Sequence, residues 1–215
     1  MRILSMVILF AALAPSPAQA IPSLSLLWKD GTPGDRSLLE ASPGDEVVVD
    51  IVLTGVFGLP VNGVFISVGF DNGELEAIRG FEIPIVNLPG MGNTFSPIVP
   101  GVEIDNGLGQ VERFEQATLS LGLAAPESRT LGSVTFRVLN PGGTPGEQDV
   151  RVTLGNAGID AIVMGATTIE ATTPGLTNAF EFHPAEVVAQ MPEPSVSLLI
   201  AMGLMAFGCA GRRAR

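Results

Sequence analysis

The sequence predicts an all-β fold, a sandwich of two packed sheets. Three observations predict it: 26 Gly and 17 Pro in 215 residues supply many turns, charged residues make up only 15%, and apolar residues recur with period two in the middle of the chain. Helical bundles and coiled coils need charged, periodic helices, so this composition disfavours them. Hydrophobic residues, at 46%, suffice for a full core. A closed barrel is the second choice.

Five segments justify the strands, because apolar side chains recur at every second position in each of them, with the positions between them mostly polar or small apart from Val48, Val52 and Phe65. The apolar sets are Val47, Val49, Ile51 and Leu53; Val64, Ile66, Val68 and Phe70; Leu119, Leu121 and Leu123; Val134, Phe136 and Val138; and Val150, Val152 and Leu154. Each set predicts a half-buried strand with its apolar face inward, and such strands pair naturally as two facing sheets.

Turn sequences rich in Gly, Pro, Asn and Asp separate these strands. They are Ser42-Pro43-Gly44-Asp45, Asp71-Asn72-Gly73, Leu88-Pro89-Gly90, Asp105-Asn106-Gly107 and Asn140-Pro141-Gly142-Gly143. We therefore expect one sandwich domain over residues 21–186.

The charge of this domain excludes one class of partner. Between Ile21 and Gln190 the sequence has seven basic residues against 21 acidic ones, a difference of −14. Nucleic-acid binding depends on clustered Lys and Arg that displace counterions. We therefore expect no nucleic acid among the partners, whereas divalent cations, basic proteins and neutral polysaccharides stay open.

The N-terminus has the pattern of a secretory signal. Arg2 gives a basic start, residues 3–14 form a short apolar run, and Ala18 and Ala20 supply the small residues of a cleavage site. We expect residues 1–20 to be a signal peptide that signal peptidase removes after Ala20. An uncleaved membrane anchor or a buried helix is the alternative.

The C-terminus has the pattern of a short membrane span. Residues 196–211 are apolar and uncharged, and they end at the basic residues 212–215, which we expect to stay in the cytoplasm. Since the run is somewhat shorter than the ~20 residues of a standard span, it suits a transient stop as well as a permanent anchor. The only cysteine, Cys209, lies in this run, so the middle of the chain can form no disulfide.

A Pro-Glu-Pro motif precedes the apolar run: Pro192, Glu193 and Pro194 lie within a linker at 187–195, and Arg212, Arg213 and Arg215 form a basic stop after the run. With these residues the tail resembles the PEP-CTERM sorting signal of exported bacterial proteins. That resemblance implies recognition by exosortase, a membrane enzyme that would cut near the motif and release or transfer the ectodomain. The two prolines keep the motif extended, so that an enzyme can reach its backbone.

A second resemblance covers most of residues 21–186. The segment from Ala41 to Leu53, the strand from Val64 to Phe70 and the later segment from Leu131 to Phe136 look like a cohesin-type jelly-roll sandwich. The resemblance implies the fold, and it carries no residue roles. Cohesins bind dockerins and related sandwiches bind carbohydrate, but the sequence shows no dockerin partner.

Catalysis finds little support. The one imidazole, His183, lies in a short alternating segment that turns Phe180 and Phe182 inward and places Glu181 and His183 on the outer face of a terminal strand. No sequence match to a serine-hydrolase elbow or a zinc-protease motif occurs. A secreted hydrolase remains an alternative that would require His183 or a carboxylate pair in a deep pocket.

Other residues with ligand-binding chemistry have ordinary structural explanations. The acidic turns at residues 71–74 and 105–107 favour hairpin chemistry over calcium, because neither fits the spacing of a calcium loop. We expect residues 88–100 to form a long apolar loop. Trp28 either stacks on a sugar or fills the core. The acidic pairs and the Thr-rich strip are Asp45/Glu46, Glu74/Glu76, Glu103/Asp105, Glu112/Glu115, and Thr167, Thr168, Thr172, Thr173 and Thr177.

These observations predict an exported bacterial protein of the cell surface or extracellular matrix, with a structural or adhesive role. We expect no enzymatic activity, no catalytic or metal-binding residues and no cofactor. The expected partners are signal peptidase and exosortase during export, the membrane, and exopolysaccharide as a candidate. A secreted carbohydrate- or calcium-binding module is the alternative.

Overall fold

The structure is a computed structural model. It describes residues 21–57, 59–87, 94–97, 103–118, 122–123, 126–141, 148–154, 160–170 and 180–189. Both chain ends lie outside these ranges, and so does every residue of the predicted signal peptide, sorting motif, membrane span and basic stop.

The described residues form β-strands joined by turns. The strands are β1 (Ser23–Trp28), β2 (Leu38–Ala41), β3 (Glu46–Thr54), β4 (Val61–Phe70), β5 (Leu75–Glu82), β6 (Val86–Asn87), β7 (Thr94–Pro97), β8 (Glu103–Asp105), β9 (Gln110–Ala117), β10 (Ser128–Val138), β11 (Val150–Thr153), β12 (Ala161–Met164), β13 (Thr167–Ile169), β14 (Glu181–His183) and β15 (Glu186–Ala189).

Two sheets pack face to face, as predicted. The first sheet has the order β14-β1-β3-β10-β5, and the second has the order β13-β12-β4-β9-β7-β6, with β11 also on β4 and β8 also on β9. A small parallel pair, β15 with β2, lies beside them. The described residues therefore confirm the all-β sandwich.

Aromatic side chains join the two sheets across the core. Phe70 of β4 meets Phe136 of β10, and Phe81 of β5 meets Phe114 of β9, each pair edge to face with ring centroids 5.2 Å apart. Edge-to-face geometry aligns the positive edge of one ring with the negative face of the other, so it stabilises beyond the buried area. In each pair, one ring belongs to the first sheet and the other to the second. The two pairs together fix how the sheets pack on each other.

The alternation seen in the sequence is confirmed in β3 and β10. Val49, Ile51 and Leu53 are fully buried, and Phe136 and Val138 are buried on the facing part of β10. The inward residues of the two strands face the second sheet, whereas the outward residues include Asp50 of β3 and Ser133 and Arg137 of β10; the outward Val52 of β3 is also buried.

Strand β4 differs from the half-buried strand that its alternation predicts. Its inward residues are buried, but Ser67 on the opposite face is also only 2% exposed. β4 is a central strand, between β9 on one side and β11 and β12 on the other. The Ser67 hydroxyl donates a hydrogen bond of 3.0 Å to the buried carboxylate of Asp160, which covers that face.

One other segment departs from its predicted conformation. Within the predicted long loop, residues 94–97 form strand β7, which pairs with β6 and β9 and buries Phe95 completely. Pairing with distant strands decides this, and local alternation does not report it. Of the apolar set Leu119, Leu121 and Leu123, only Leu123 lies within the described residues, and it pairs with Val61 in an isolated bridge.

The sandwich closes by pairing its last strands with its first. β14 lies parallel to β1, and β15 lies parallel to β2, from Glu186 opposite Leu38 to Ala189 opposite Ala41. Strand β15 therefore includes residues up to Ala189, within the segment that the sequence predicts to be the linker.

Asn106 links the second sheet to the edge of the first. It lies in the turn between β8 and β9, and its side-chain amide accepts from the Ala77 N–H (2.9 Å) and donates to the Ala77 carbonyl (3.1 Å) on β5. The Asn106 side chain thus pairs with both backbone groups of Ala77, which point away from β10 at the edge of the sheet. This pairing blocks one point at which another strand could add to the sheet.

We predict that Asn106→Ala lowers the free energy of unfolding by about 1–3 kcal/mol, because it leaves two backbone groups of β5 without their partner. Urea denaturation measures the difference. Asn140→Ala, at an exposed turn position, is the matched control. Equal stability of the two variants would contradict the role assigned to Asn106.

Gly109 packs the same turn against β4. Its φ is +65°, and a Cβ added there would lie 2.3 Å from the Phe70 carbonyl oxygen. The Phe70 N–H in turn donates to the Gly109 carbonyl (2.8 Å). The close backbone approach therefore requires glycine for both its conformation and its lack of a side chain.

We predict that Gly109→Ala destabilises the protein more than Gly34→Ala does. Both positions have a positive φ, but nothing lies within 4 Å of a Cβ at Gly34, where φ is +94°. Gly34→Ala should cost only the conformational term, about 1–2 kcal/mol, whereas Gly109→Ala adds a backbone clash. Thermal unfolding of the two variants tests this, and similar losses would show that the turn relaxes.

Candidate binding groove

The described residues contain none of the sorting and cleavage residues predicted from the sequence. Pro192, Glu193, Pro194, Arg212, Arg213, Arg215, Ala18 and Ala20 all lie outside them. The site that the structure does define is a groove at the closure between the first and last strands.

His183 lies at this groove, on the outer face of β14. Parallel pairing places it opposite Ser25 of β1. Its side chain is 52% exposed, and its Nε2 lies 3.5 Å from Oε2 of Glu181, which is equally exposed. Phe180 is buried and Phe182 half-buried on the other side of the strand. The prediction of an outward imidazole beside Glu181 is confirmed.

The groove has a volume of about 450 Å³ and opens to solvent. Its walls come from four separate segments: the outer face of β1, the turn before β2, the segment that leads into β11, and the bend between β14 and β15. The residues are Ser25, Leu27, Ser37, Gln148, His183, Pro184, Ala185 and Glu186.

Hydrogen bonds fix the walls of the groove. The Glu186 N–H donates to the Ser37 carbonyl (2.7 Å), and the indole N–H of Trp28 donates to the Glu186 carbonyl (2.7 Å). Val150 and Ala185 exchange two backbone hydrogen bonds of 3.0 and 2.9 Å. Pro184 has no N–H for a strand ladder, which suits it to the bend between β14 and β15.

A charged turn lies next to the groove at Ser37. The hydroxyl and the N–H of Ser37 both donate to Oδ1 of Asp35, the N–H at 3.0 Å. These two hydrogen bonds, the hydroxyl's first, lower the pKa of Asp35 below its ordinary value of 3.8, because they favour the ionised carboxylate. Asp35 therefore stays negatively charged beside the groove.

Trp28 fills the core, which decides between the two roles expected for it. Its side chain is fully buried, and its one polar atom is taken by the Glu186 carbonyl. The indole therefore acts from behind the groove wall, as a support for Glu186, and offers no surface for stacking.

In the acidic turns, polar side-chain atoms form hydrogen bonds with backbone groups. Asp71 Oδ1 accepts from the Gly73 N–H (2.7 Å), and Asp105 Oδ1 accepts from the Leu108 N–H (2.9 Å). Asn72 donates to the Gly107 carbonyl (2.8 Å), which ties the two turns together. Both segments are structural turns, as the sequence favoured: residues 105–107 close the hairpin of β8 and β9, whereas residues 71–74 carry the chain from β4 in one sheet to β5 in the other. Among the described residues, no three His, Cys, Asp or Glu side chains form a group that could hold a metal ion.

The acidic pairs are spread over the surface. Glu46 and Glu76 lie on either side of Arg137, at 3.9 and 3.1 Å, across three neighbouring strands of the first sheet. Glu115 lies 3.8 Å from Arg113 on β9. Exposed ion pairs such as those of Arg137 contribute little to stability, whereas Glu115 is itself buried, at 7% exposure. Thr167 and Thr168 are exposed on β13, and the other threonines of the strip lie outside the described residues.

Sequence reasoning missed the groove residues Ser25, Ser37 and Gln148. They are spread over more than 120 positions, and each looks like an ordinary surface residue in its own segment. The one local signal is Pro184 directly after an outward histidine, which marks a bend at a strand end.

Comparison with known proteins shows the class of fold. A type II cohesin, A11 from Bacteroides cellulosolvens, matches with a TM-score of 0.51 at 14% identity, over 78% of this chain and 99% of that one. Since identity is this low, the match shows a cohesin-like β-sandwich fold and nothing about function. This confirms the fold resemblance drawn from the sequence.

Two complexes match less closely in structure. A cohesin–dockerin complex from Clostridium thermocellum matches with a TM-score of 0.45 at 12% identity, over 79% of this chain and 100% of that one. The sixth cohesin of scaffoldin B from Acetivibrio cellulolyticus, in complex with the Cel5 dockerin, matches with a TM-score of 0.43 at 18% identity, over 78% and 100%.

No protein-family model matches the chain, and no curated protein matches it. Within the described residues, no helix has the length and the apolar composition needed to cross a bilayer.

We predict that Ser37→Ala raises the pKa of Asp35 toward its ordinary value, because both the strongest hydrogen bond to the carboxylate and the ordering of the turn depend on the hydroxyl. A lowered pKa in the folded state means that this turn stabilises the protein above the ordinary pKa. The stabilisation is lost as the pH falls through the lowered pKa. NMR titration of the Asp35 carboxyl measures the change.

Ser133→Ala, on the outer face of β10, is the control and should leave the Asp35 titration as it is. An unchanged titration in Ser37→Ala would contradict the prediction.

Proposed function

We propose that this chain is an exported bacterial protein of the cell surface or extracellular matrix, which exosortase sorts through its C-terminal tail. In this proposal the cohesin-like sandwich is a non-enzymatic binding module with a structural or adhesive role. Signal peptidase and exosortase are its partners during export, and the membrane holds it before processing.

One observation carries the proposal: every described strand lies between the predicted signal peptide and the predicted sorting motif. β1 begins at Ser23, three residues after the predicted cleavage at Ala20, and β15 ends at Ala189, three residues before Pro192. Removal of both segments therefore leaves every described strand in place. A folded unit of this extent suits a protein whose two ends serve only delivery.

The chemistry of the tail supports the same order of events. Pro192 and Pro194 disfavour helix and strand pairing, a property that suits a segment on which a processing enzyme acts. Arginines that follow the apolar run at 196–211 favour the cytoplasmic side of a membrane. This leaves the sandwich outside, next to the membrane, until the tail is cut.

The surface of the sandwich suits extracellular binding. The domain is strongly acidic, which keeps it soluble and disfavours nucleic acid. Its rigid frame presents a polar groove built from both ends of the fold. Rigid sandwiches commonly carry binding sites in such edges and loops.

We predict that the protein purified from its native host has lost both the first 20 residues and the apolar tail, and that Glu193→Ala keeps the tail. Replacement of Glu193 removes the one charged group of the sorting motif without changing the prolines. Intact mass spectrometry of the native protein measures both ends at once. Glu40→Ala, an exposed position on β2, is the matched control and should be processed like the native chain.

The outcomes separate the parts of the proposal. A tail that persists in the native protein identifies an ordinary anchor and overturns sorting by exosortase, while export stands. An uncleaved N-terminus overturns the signal peptide. A tail removed equally from native protein and Glu193→Ala shows processing that does not read the motif.

A further inference from the structure

The groove between the first and last strands has the size of a small-ligand site. Its volume of about 450 Å³ falls within the range of roughly 300–1,000 Å³ typical of ligand pockets. Its shape is set by strands and by backbone hydrogen bonds at Ser37, Val150 and Glu186, so it is formed without a ligand.

The polar side chains of the groove supply hydrogen-bond donors and acceptors. Ser25 contributes a hydroxyl, Gln148 an amide and His183 an imidazole with two ring nitrogens, whereas the Ser37 hydroxyl already donates to Asp35 and offers its oxygen as an acceptor. A sugar hydroxyl also donates and accepts, so mixed groups of this kind satisfy a run of hydroxyls better than a lining of one polarity does.

The groove also has an apolar side. Leu27 and Pro184 line it together with the polar groups. A smaller hollow of about 220 Å³ shares His183 and is lined by Phe180, Glu181 and Phe182. Apolar surface beside hydrogen-bonding groups suits the C–H face of a sugar ring.

The charges of the groove select neutral ligands. Its lining contains the carboxylate of Glu186, with Glu181 beside His183 and ionised Asp35 beside Ser37, and no Lys or Arg among the described lining residues. Phosphate, sulfate and uronic-acid groups would meet negative potential here. Hydroxyl groups are neutral, so the negative potential does not repel them.

From these features we propose that the groove is a binding site for a neutral, hydroxyl-rich saccharide. The inference rests on the proposed function, since it gives the extracellular binding module its ligand class. Ser25, Ser37, Gln148 and His183 contact the sugar hydroxyls, and Leu27 and Pro184 contact the ring.

Calorimetric titration of the full-length chain in detergent micelles tests this, with cellohexaose, maltohexaose and mannohexaose as neutral probes and hexalysine as a cationic one. We expect at least one neutral hexasaccharide to bind. Ser25→Phe fills the groove and should weaken that binding at least about tenfold, and Gln148→Ala about fivefold, the cost of roughly one hydrogen bond.

Matched controls lie outside the groove. Ser133→Phe adds the same ring to the outer face of β10, and Gln110→Ala removes an amide from β9; both should bind within about twofold of the native chain. Circular dichroism confirms that each variant is folded, and a Ser25→Phe chain that is unfolded is replaced by His183→Ala, for which the same loss is expected.

Three results would overturn the inference: no binding of any neutral hexasaccharide, equal binding by the native chain and the folded groove variants, or tighter binding of hexalysine than of the sugars. Each leaves tail processing standing, because intact mass reports that separately. A tail that persists in the native host would in turn leave saccharide binding intact.

Discussion

Parallel pairing of the chain's last strands with its first is the contact on which the rest of the structure depends. β14 completes the first sheet beside β1, and β15 pairs with β2. The buried indole of Trp28 secures this closure by donating to the Glu186 carbonyl, across a sequence separation of 158 residues. Such long-range contacts form only after most of the chain is available, because closing a long loop costs entropy before it gains contacts.

The closure also creates the groove. The bend at Pro184 carries the chain from the edge of the first sheet to the small β2–β15 pair, and the space between them is lined by both ends of the fold. Stability and binding surface therefore share the same hydrogen bonds at Ser37 and Glu186. A ligand held there would stabilise the closed form, since it contacts residues that separate on unfolding.

At the opposite edge of the first sheet, the turn that contains Asn106 and Gly109 links the second sheet to β5. One turn of the second sheet uses a side-chain amide to pair with β5 and a glycine to lie against Phe70. The two sheets are thus joined by specific polar contacts at an edge as well as by aromatic pairs in the core. Polar contacts of this kind restrict how the sheets can slide, which apolar packing alone does less strictly.

The sequence by itself determined the class of fold, the inward faces of β3 and β10, the presence of the acidic turns and the outward position of His183, because alternation and turn chemistry act over a few residues. It also supplied the patterns of the signal peptide and the sorting tail, which are read from the chain directly. Only the tertiary structure decided that β4 is buried on both faces, that β7 lies within a segment resembling a loop, and that Ser25, Ser37, Gln148 and His183 meet in one groove. These features depend on which distant strands pair, and a one-dimensional pattern gives the face of a strand without naming its neighbour.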